Sequence, residues 1–169
     1  LLLMEDCLLS LGCGKGDDIT FKITRGGTEV SAFCRECGWI NMDKLLSLCC
    51  LYEFQCGHDV AVPYDAPAAI NDMADGYEKR VLRYPVQAKT PVRDELKYLS
   101  SKQIFLRDGL FMAVKILGIM RETGYSFPKL LSQIPEFFVK HKTVSFSSVP
   151  EDICRAFPND TVYPLITGR

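Results

Sequence analysis

Residues 107–124, RDGLFMAVKILGIMRETG, decide the reading of this chain. Asp108 stands where an N-cap carboxylate meets the positive end of a helix. Gly124 stands where a left-handed residue closes one. Between them Leu110, Phe111, Met112, Val114, Ile116, Leu117, Ile119 and Met120 are apolar, and Lys115 alone puts a charge in the middle. A helix apolar on most of its circumference is expected to be covered on most of it. At about 15 residues it is shorter than the roughly 20 that span a bilayer. The stretch therefore predicts the central packing helix of an α/β domain.

Working outward, strands and helices alternate around it. Leu1 to Leu11 reads as the end of an amphipathic helix stopped by Gly12 and Gly14. Ile19, Phe21 and Ile23 alternate with Thr20, Lys22 and Thr24, the period of a half-buried strand. Val30, Ala32 and Cys34 repeat that period beyond Gly26-Gly27, so the two runs predict a hairpin. Asn41 or Asp43 starts a helix that ends near Gly57. A short buried strand follows over 59–63. Asp65 or Ala66, with Pro67 in the first turn, opens a helix to about Gly76. Residues 80–84 read as a strand, and Thr90-Pro91 as the start of another helix. Residues 102–106 read as a strand leading into the organising helix. Ser126 and Pro128 start a short helix running through Leu130, Leu131 and Ile134, and 137–146 reads as a last strand. Beyond Val149, Pro150, Pro158 and Pro164 suggest a linker or the start of a following domain. Alternation of this kind predicts an α/β fold: a three-layer α/β/α sandwich with a mostly parallel, mixed sheet, preceded by a β-hairpin.

The 169 residues suit one domain, or one domain with pieces of its neighbours. Net charge is −1 and no basic stripe is present, which argues against nucleic acid. No polybasic or lipidation signal points to a membrane. The start Leu1-Leu2-Leu3-Met4 lacks the basic flank of a signal peptide, and Glu5 and Asp6 interrupt its apolar run. It is expected of an internal segment of a longer protein, although processing gives the same start. Eight Cys in a chain this rich in core residues are expected as reduced, cytoplasmic thiols.

The order and wording of two stretches resemble the α-D-phosphohexomutase superfamily of phosphomannomutases and phosphoglucomutases. They are DVAVPYDAPAAINDMADGYEKRVLRYP, residues 59–85, and RDGLFMAVKILGIMRETGYSFPKLLSQIPEFF, residues 107–138. The first is similar to that family's strand, Ala-Pro turn, helix and strand. The second is similar to its Asp-Gly helix, the short helix after it and the exit strand. The nearest likeness is to the phosphomannomutase-like part of proteins fused to a mannose-1-phosphate guanylyltransferase-type nucleotidyltransferase. The resemblance implies that residues 1–37 are the tail of a preceding domain, 38–147 the family's third domain, and 148–169 a linker or a truncated following domain. It also implies a place in carbohydrate metabolism and nucleotide-sugar biosynthesis. The partners it implies are other domains of the same polypeptide, with a sugar phosphate or a second copy as further candidates.

The resemblance puts a Mg²⁺ loop of three Asp at residues 24–29, which read Thr24-Arg25-Gly26-Gly27-Thr28-Glu29. Mg²⁺ wants carboxylate oxygens in octahedral geometry, and one Glu beside an Arg does not supply them. No metal or other cofactor is therefore expected on this chain. The family's sugar loop, Gly-Glu-x-Ser-Gly-His, falls at Leu99-Ser100-Ser101-Lys102-Gln103. Ser100, Ser101 and Lys102 keep donors suited to a phosphate or hydroxyl and are the candidate substrate-binding residues. A solvated loop is the plain alternative. No residue is a candidate for catalysis, and Asp108 and Gly109 match the family in a capping role.

Other constellations compete. Cys34 and Cys37 form a CxxC pair, and Cys49, Cys50, Cys56 and His58 follow. Zinc needs four converging ligands, and these spacings fit no standard pattern, so buried thiols explain them as well. Gly12-Cys13-Gly14-Lys15-Gly16 lacks the spacing of a phosphate loop. His58 lies at a helix end, where a cation is favourable. His141 lies between Lys140 and Lys142, and neither His has a nucleophile partner in view. The expectation is a phosphohexomutase-like domain fragment, non-catalytic by itself, with a structural or oligomeric role. The sugar-phosphate-binding part of an active mutase or guanylyltransferase fusion is the alternative, and a zinc-binding module is a second one.

Overall fold

A computed structural model describes residues 19–84 and 94–139. The described residues open with an antiparallel sheet of β1 (Ile19–Ile23), β2 (Val30–Cys34) and β3 (Gly38–Ile40), in that order. Phe21 pairs with Ala32 and Ala32 with Ile40, so the inward positions of three strands line up. Helix α1 (Met42–Gln55) follows, then β4 (Val60–Pro63), α2 (Ala69–Gly76) and β5 (Val81–Tyr84). β4 and β5 pair in parallel with Val60 opposite Val81, and α2 makes the crossover. α3 (Asp94–Lys102), a 3₁₀ turn (Ile104–Leu106), α4 (Gly109–Thr123) and α5 (Phe127–Leu131) complete the described order. This is an α/β fold with a mixed strand set and a leading hairpin, as the alternation predicts.

The organising helix is built as its ends predict. The Asp108 carboxylate accepts from the N–H groups of Leu110 and Phe111, and Gly124 takes a left-handed φ of 68°. Its inner face, Met112, Ala113, Ile116 and Ile119, joins Leu45, Leu48 and Phe54 of α1 and Phe21, Val30 and Ala32 of the hairpin in one core. The expected boundary at 37/38 falls in the β2–β3 turn, and strands on both sides of it share one sheet and one core.

Three expectations need correction, and one strand went unpredicted. The helix is not covered on most of its circumference: Leu110, Phe111 and Val114 are 43%, 54% and 37% exposed. Residues 102–106 are no strand. They end α3 and form the 3₁₀ turn, and the Gln103 side chain takes the place of a strand on β4. The helix placed at Asp65 or Ala66 begins at Ala69. The Arg83 guanidinium holds the carbonyls of Tyr64, Ala66 and Pro67 in a turn and so delays it. Strand β3 is one that the sequence reading missed. The expected helix over 1–11 and the Thr90-Pro91 helix start lie outside the described residues. The 137–146 strand does so largely, and 137–139 carry no regular structure.

Candidate functional site

The hairpin turn at 24–29 closes on itself. The N–H of Thr24 donates to the carbonyl of Glu29 at 3.0 Å and that of Gly27 to the carbonyl of Thr24 at 2.9 Å. The Thr24 hydroxyl oxygen takes the Glu29 N–H at 3.3 Å. Gly27 has φ 75°, which an L side chain rarely adopts. Its carbonyl accepts the N–H of Gly109 at 2.8 Å, so the turn is docked on the start of α4. Arg25 and Glu29 point into solvent. One exposed carboxylate beside a guanidinium does not make a donor set for Mg²⁺.

Ser100, Ser101 and Lys102 occupy the last turn of α3. The Ser100 hydroxyl donates to the Lys97 carbonyl at 3.1 Å, and that of Ser101 to the Tyr98 carbonyl at 2.7 Å. Both protons serve the residues' own helix, which leaves lone pairs outward, and lone pairs do not bind phosphate oxygens. Lys102 lies over the Tyr98 ring, its ammonium 5.7 Å from the centroid. The three residues are adjacent, and the geometry leaves Lys102 as their outward donor.

A charged cluster that the sequence reading missed lies between α1 and α4. Glu53 is buried, and its two carboxylate oxygens are both taken: Oε1 lies 2.9 Å from Lys115 Nζ and Oε2 2.9 Å from His58 Nδ1. Lys115 also lies 5.0 Å from the centroids of Tyr52 and Phe105. The Tyr52 hydroxyl donates to Glu122 of α4, and this contact, then burial, pushes its pKa well above the ordinary value. Cys49 sits beside the pair. Burial, against the pull of Lys115, raises its thiol to about 12, so it stays protonated. With Glu53 doubly bound and the thiol neutral, the cluster is an ion-paired brace between helices, not a nucleophile–base pair. One signal was available: Glu53 and Lys115 are each a charge set in an otherwise apolar helical run.

The remaining candidates separate. Cys34 and Cys37 flank the β2–β3 turn, Cys49 and Cys50 are buried on α1, and Cys56 is exposed after it. Among the described residues no three His, Cys, Asp or Glu side chains gather as a metal site. His58 does sit just past the end of α1, held by Glu53, while His141 lies outside the described residues. No helix among the described residues is long and apolar enough to cross a membrane.

No family model matches the chain, and no curated protein sequence gives a significant match. Among solved structures, the chain is similar to the crystal structure of a "putative phosphomannomutase from Thermus Thermophilus", at 15% identity and a TM-score of 0.53. The match covers 78% of this chain and 33% of that one, so this chain spans about a third of its neighbour's length. At that identity the likeness is one of fold alone, shared with that third of the neighbour's chain.

Proposed function

We propose that this chain is a phosphohexomutase-like domain segment, non-catalytic by itself, that serves as a structural wall in a cytoplasmic protein of sugar-phosphate or nucleotide-sugar metabolism. The observation that carries this reading is the contact between Gly27 and Gly109. At the place where the resemblance puts metal-binding carboxylates, the backbone carbonyl of Gly27 holds the hairpin onto α4. The hydroxyls of Ser100 and Ser101, turned onto their own helix, support the same reading. So does the open apolar strip of Leu110, Phe111 and Val114, which suits packing against other domains of the same polypeptide.

Titration with mannose 1-phosphate and glucose 6-phosphate, each with and without Mg²⁺, tests this through the backbone amide resonances. Unmoved signals at Ser100, Ser101, Lys102 and residues 24–29 under millimolar ligand are the expected result. Saturable shifts at Ser100 to Lys102 overturn it and favour the sugar-phosphate-binding wall of an active mutase.

A further inference from the structure

The turn between β2 and β3 carries two thiols in one tight reversal. Cys34 pairs with Gly38 across the strands, so Arg35, Glu36 and Cys37 make the whole loop. Gly38 has φ 70°, and a Cβ there would meet nothing within 4 Å, so glycine is needed for its backbone angle and not for space. That angle reverses the chain immediately after Cys37, whose thiol is hydrogen-bonded to that of Cys34. The Cys37 N–H donates to Cys34 Sγ at 3.2 Å, placing an amide dipole on that sulfur. Both thiols are free.

We propose that Cys34 and Cys37 form a two-thiolate clasp for a soft, thiophilic metal ion, of which Cu(I) is the representative. Thiolate is the form that ligates metals, and the Cys37 N–H can stay on the Cys34 sulfur as an outer hydrogen bond when a metal binds. Zn²⁺ asks for four ligands, and the described residues gather no third His, Cys, Asp or Glu at this pair. Cu(I) is a soft ion selected by thiolates and suits the two sulfurs that the turn presents. Binding is a displacement without redox change: each thiol releases its proton, two Cu–S bonds form, and the complex carries one negative charge. Burial and the hydrogen bond with the Cys34 thiol raise the Cys37 thiol to about 11. Lys44, at the start of α1, acts on the Cys37 sulfur in the opposite sense and offsets the charge of the complex, while Glu36 opposes it. The clasp does not depend on the sugar-phosphate reading.

The test is anaerobic titration of the full chain with Cu(I) against a colorimetric Cu(I) chelator. Iodoacetamide footprinting of the wild-type chain, with and without Cu(I), is read by peptide mass spectrometry. About one tightly held Cu(I) at this pair is expected, with the half-buried Cys37 protected and the exposed Cys56 still alkylated. Cys37→Ser, at a half-buried site, removes that ion, whereas Cys56→Ser retains it. Calorimetry in buffers of differing ionisation enthalpy reports release of the displaced protons. Equal alkylation of Cys37 with and without Cu(I) overturns the proposal, as does an ion that persists in Cys37→Ser. The footprint is read on the wild-type chain, so it decides the matter even if a variant folds poorly.

Discussion

The N–H of Gly109 donates to the carbonyl oxygen of Gly27 at 2.8 Å, joining the first residue of α4 to the tip of the leading hairpin. Helix-end N–H groups lack partners within their own helix. Asp108 takes those of Leu110 and Phe111, and the hairpin takes that of Gly109. The approach is close because residue 109 has no side chain. A Cβ there would stand 3.1 Å from the Gly27 carbonyl oxygen, 3.2 Å from that of Glu29 and 3.2 Å from Val30 Cβ.

Gly109→Ala is therefore expected to destabilise the fold by about 1–2 kcal/mol, because two of the three neighbours are backbone and cannot swing aside. Intrinsic helix preference works the other way, by up to about 1 kcal/mol. The sign of the change in urea midpoint decides between them. A midpoint that rises shows the hairpin giving way without cost.

Asp59 makes a paired contact with Arg80, 2.9 Å to Nε and 2.6 Å to Nη2, and Arg80 reaches on to Glu95 of α3. Burial is the largest single influence on Asp59 and pushes its pKa up. The hydrogen bonds and charge of Arg80 together outweigh it and hold the carboxyl below its ordinary 3.8. A carboxyl lowered in the folded state adds stability above its unfolded value, and loses it as pH falls through the folded one. Stability is then expected to decline below pH 3.8, in part through this group. Asp59→Asn should flatten that part of the curve and leave its neutral arm less salt-dependent, as measured by urea unfolding across pH.

Short-range codes were legible, and long-range ones were not. The caps Asn41, Asp108 and Gly124 act on their own neighbours, so the residue type announces the role. The hairpin was readable because alternation persists over two five-residue runs. β3, at three residues, is too short to show a period. Hydropathy marked Leu110, Phe111 and Val114 as residues that tolerate burial, but it carries no information on what covers them. The spiral of Ile104, Phe105 and Leu106 mimics a strand by composition, while its geometry follows from the Gln103 anchor before it. Of the candidate site, the turn at 24–29 was legible as a hairpin turn, because Gly26-Gly27 lies between the two alternating runs. The Glu53–Lys115 pair was not, because its halves lie on different helices and meet only in three dimensions.

Lys115→Met tests the ion-paired brace. It leaves the buried Glu53 carboxylate facing an apolar side chain, with His58 on its other oxygen. Breaking one side of a buried pair is expected to cost about 3 kcal/mol. Glu53→Gln together with Lys115→Met removes both charges, and should recover a good part of that loss because the two sites are in contact. A thermal or urea double-mutant cycle measures the coupling, and strict additivity contradicts the brace.

Gln103 offers the sharpest test of how β4 is finished. Its Oε1 accepts the Ala61 N–H at 3.0 Å, and its Nε2 donates to the Asp59 carbonyl at 2.8 Å. One side-chain amide thus reproduces the donor–acceptor pair of a neighbouring strand. Ala61 and Gln103 are both buried, so an unpaired Ala61 N–H there has no water to turn to. Gln103→Leu keeps a similar volume and removes both bonds, at an expected cost of about 2–4 kcal/mol. Gln103→Glu keeps the acceptor for Ala61, but in its charged form sets an anion against the Asp59 carbonyl, so it should also destabilise and should recover on acidification as the carboxyl takes a proton. Hydrogen exchange at Ala61 separates this from general loosening. Its protection should fall sharply in Gln103→Leu, whereas Met112 and Ile116 on α4 should lose only what the global stability change dictates.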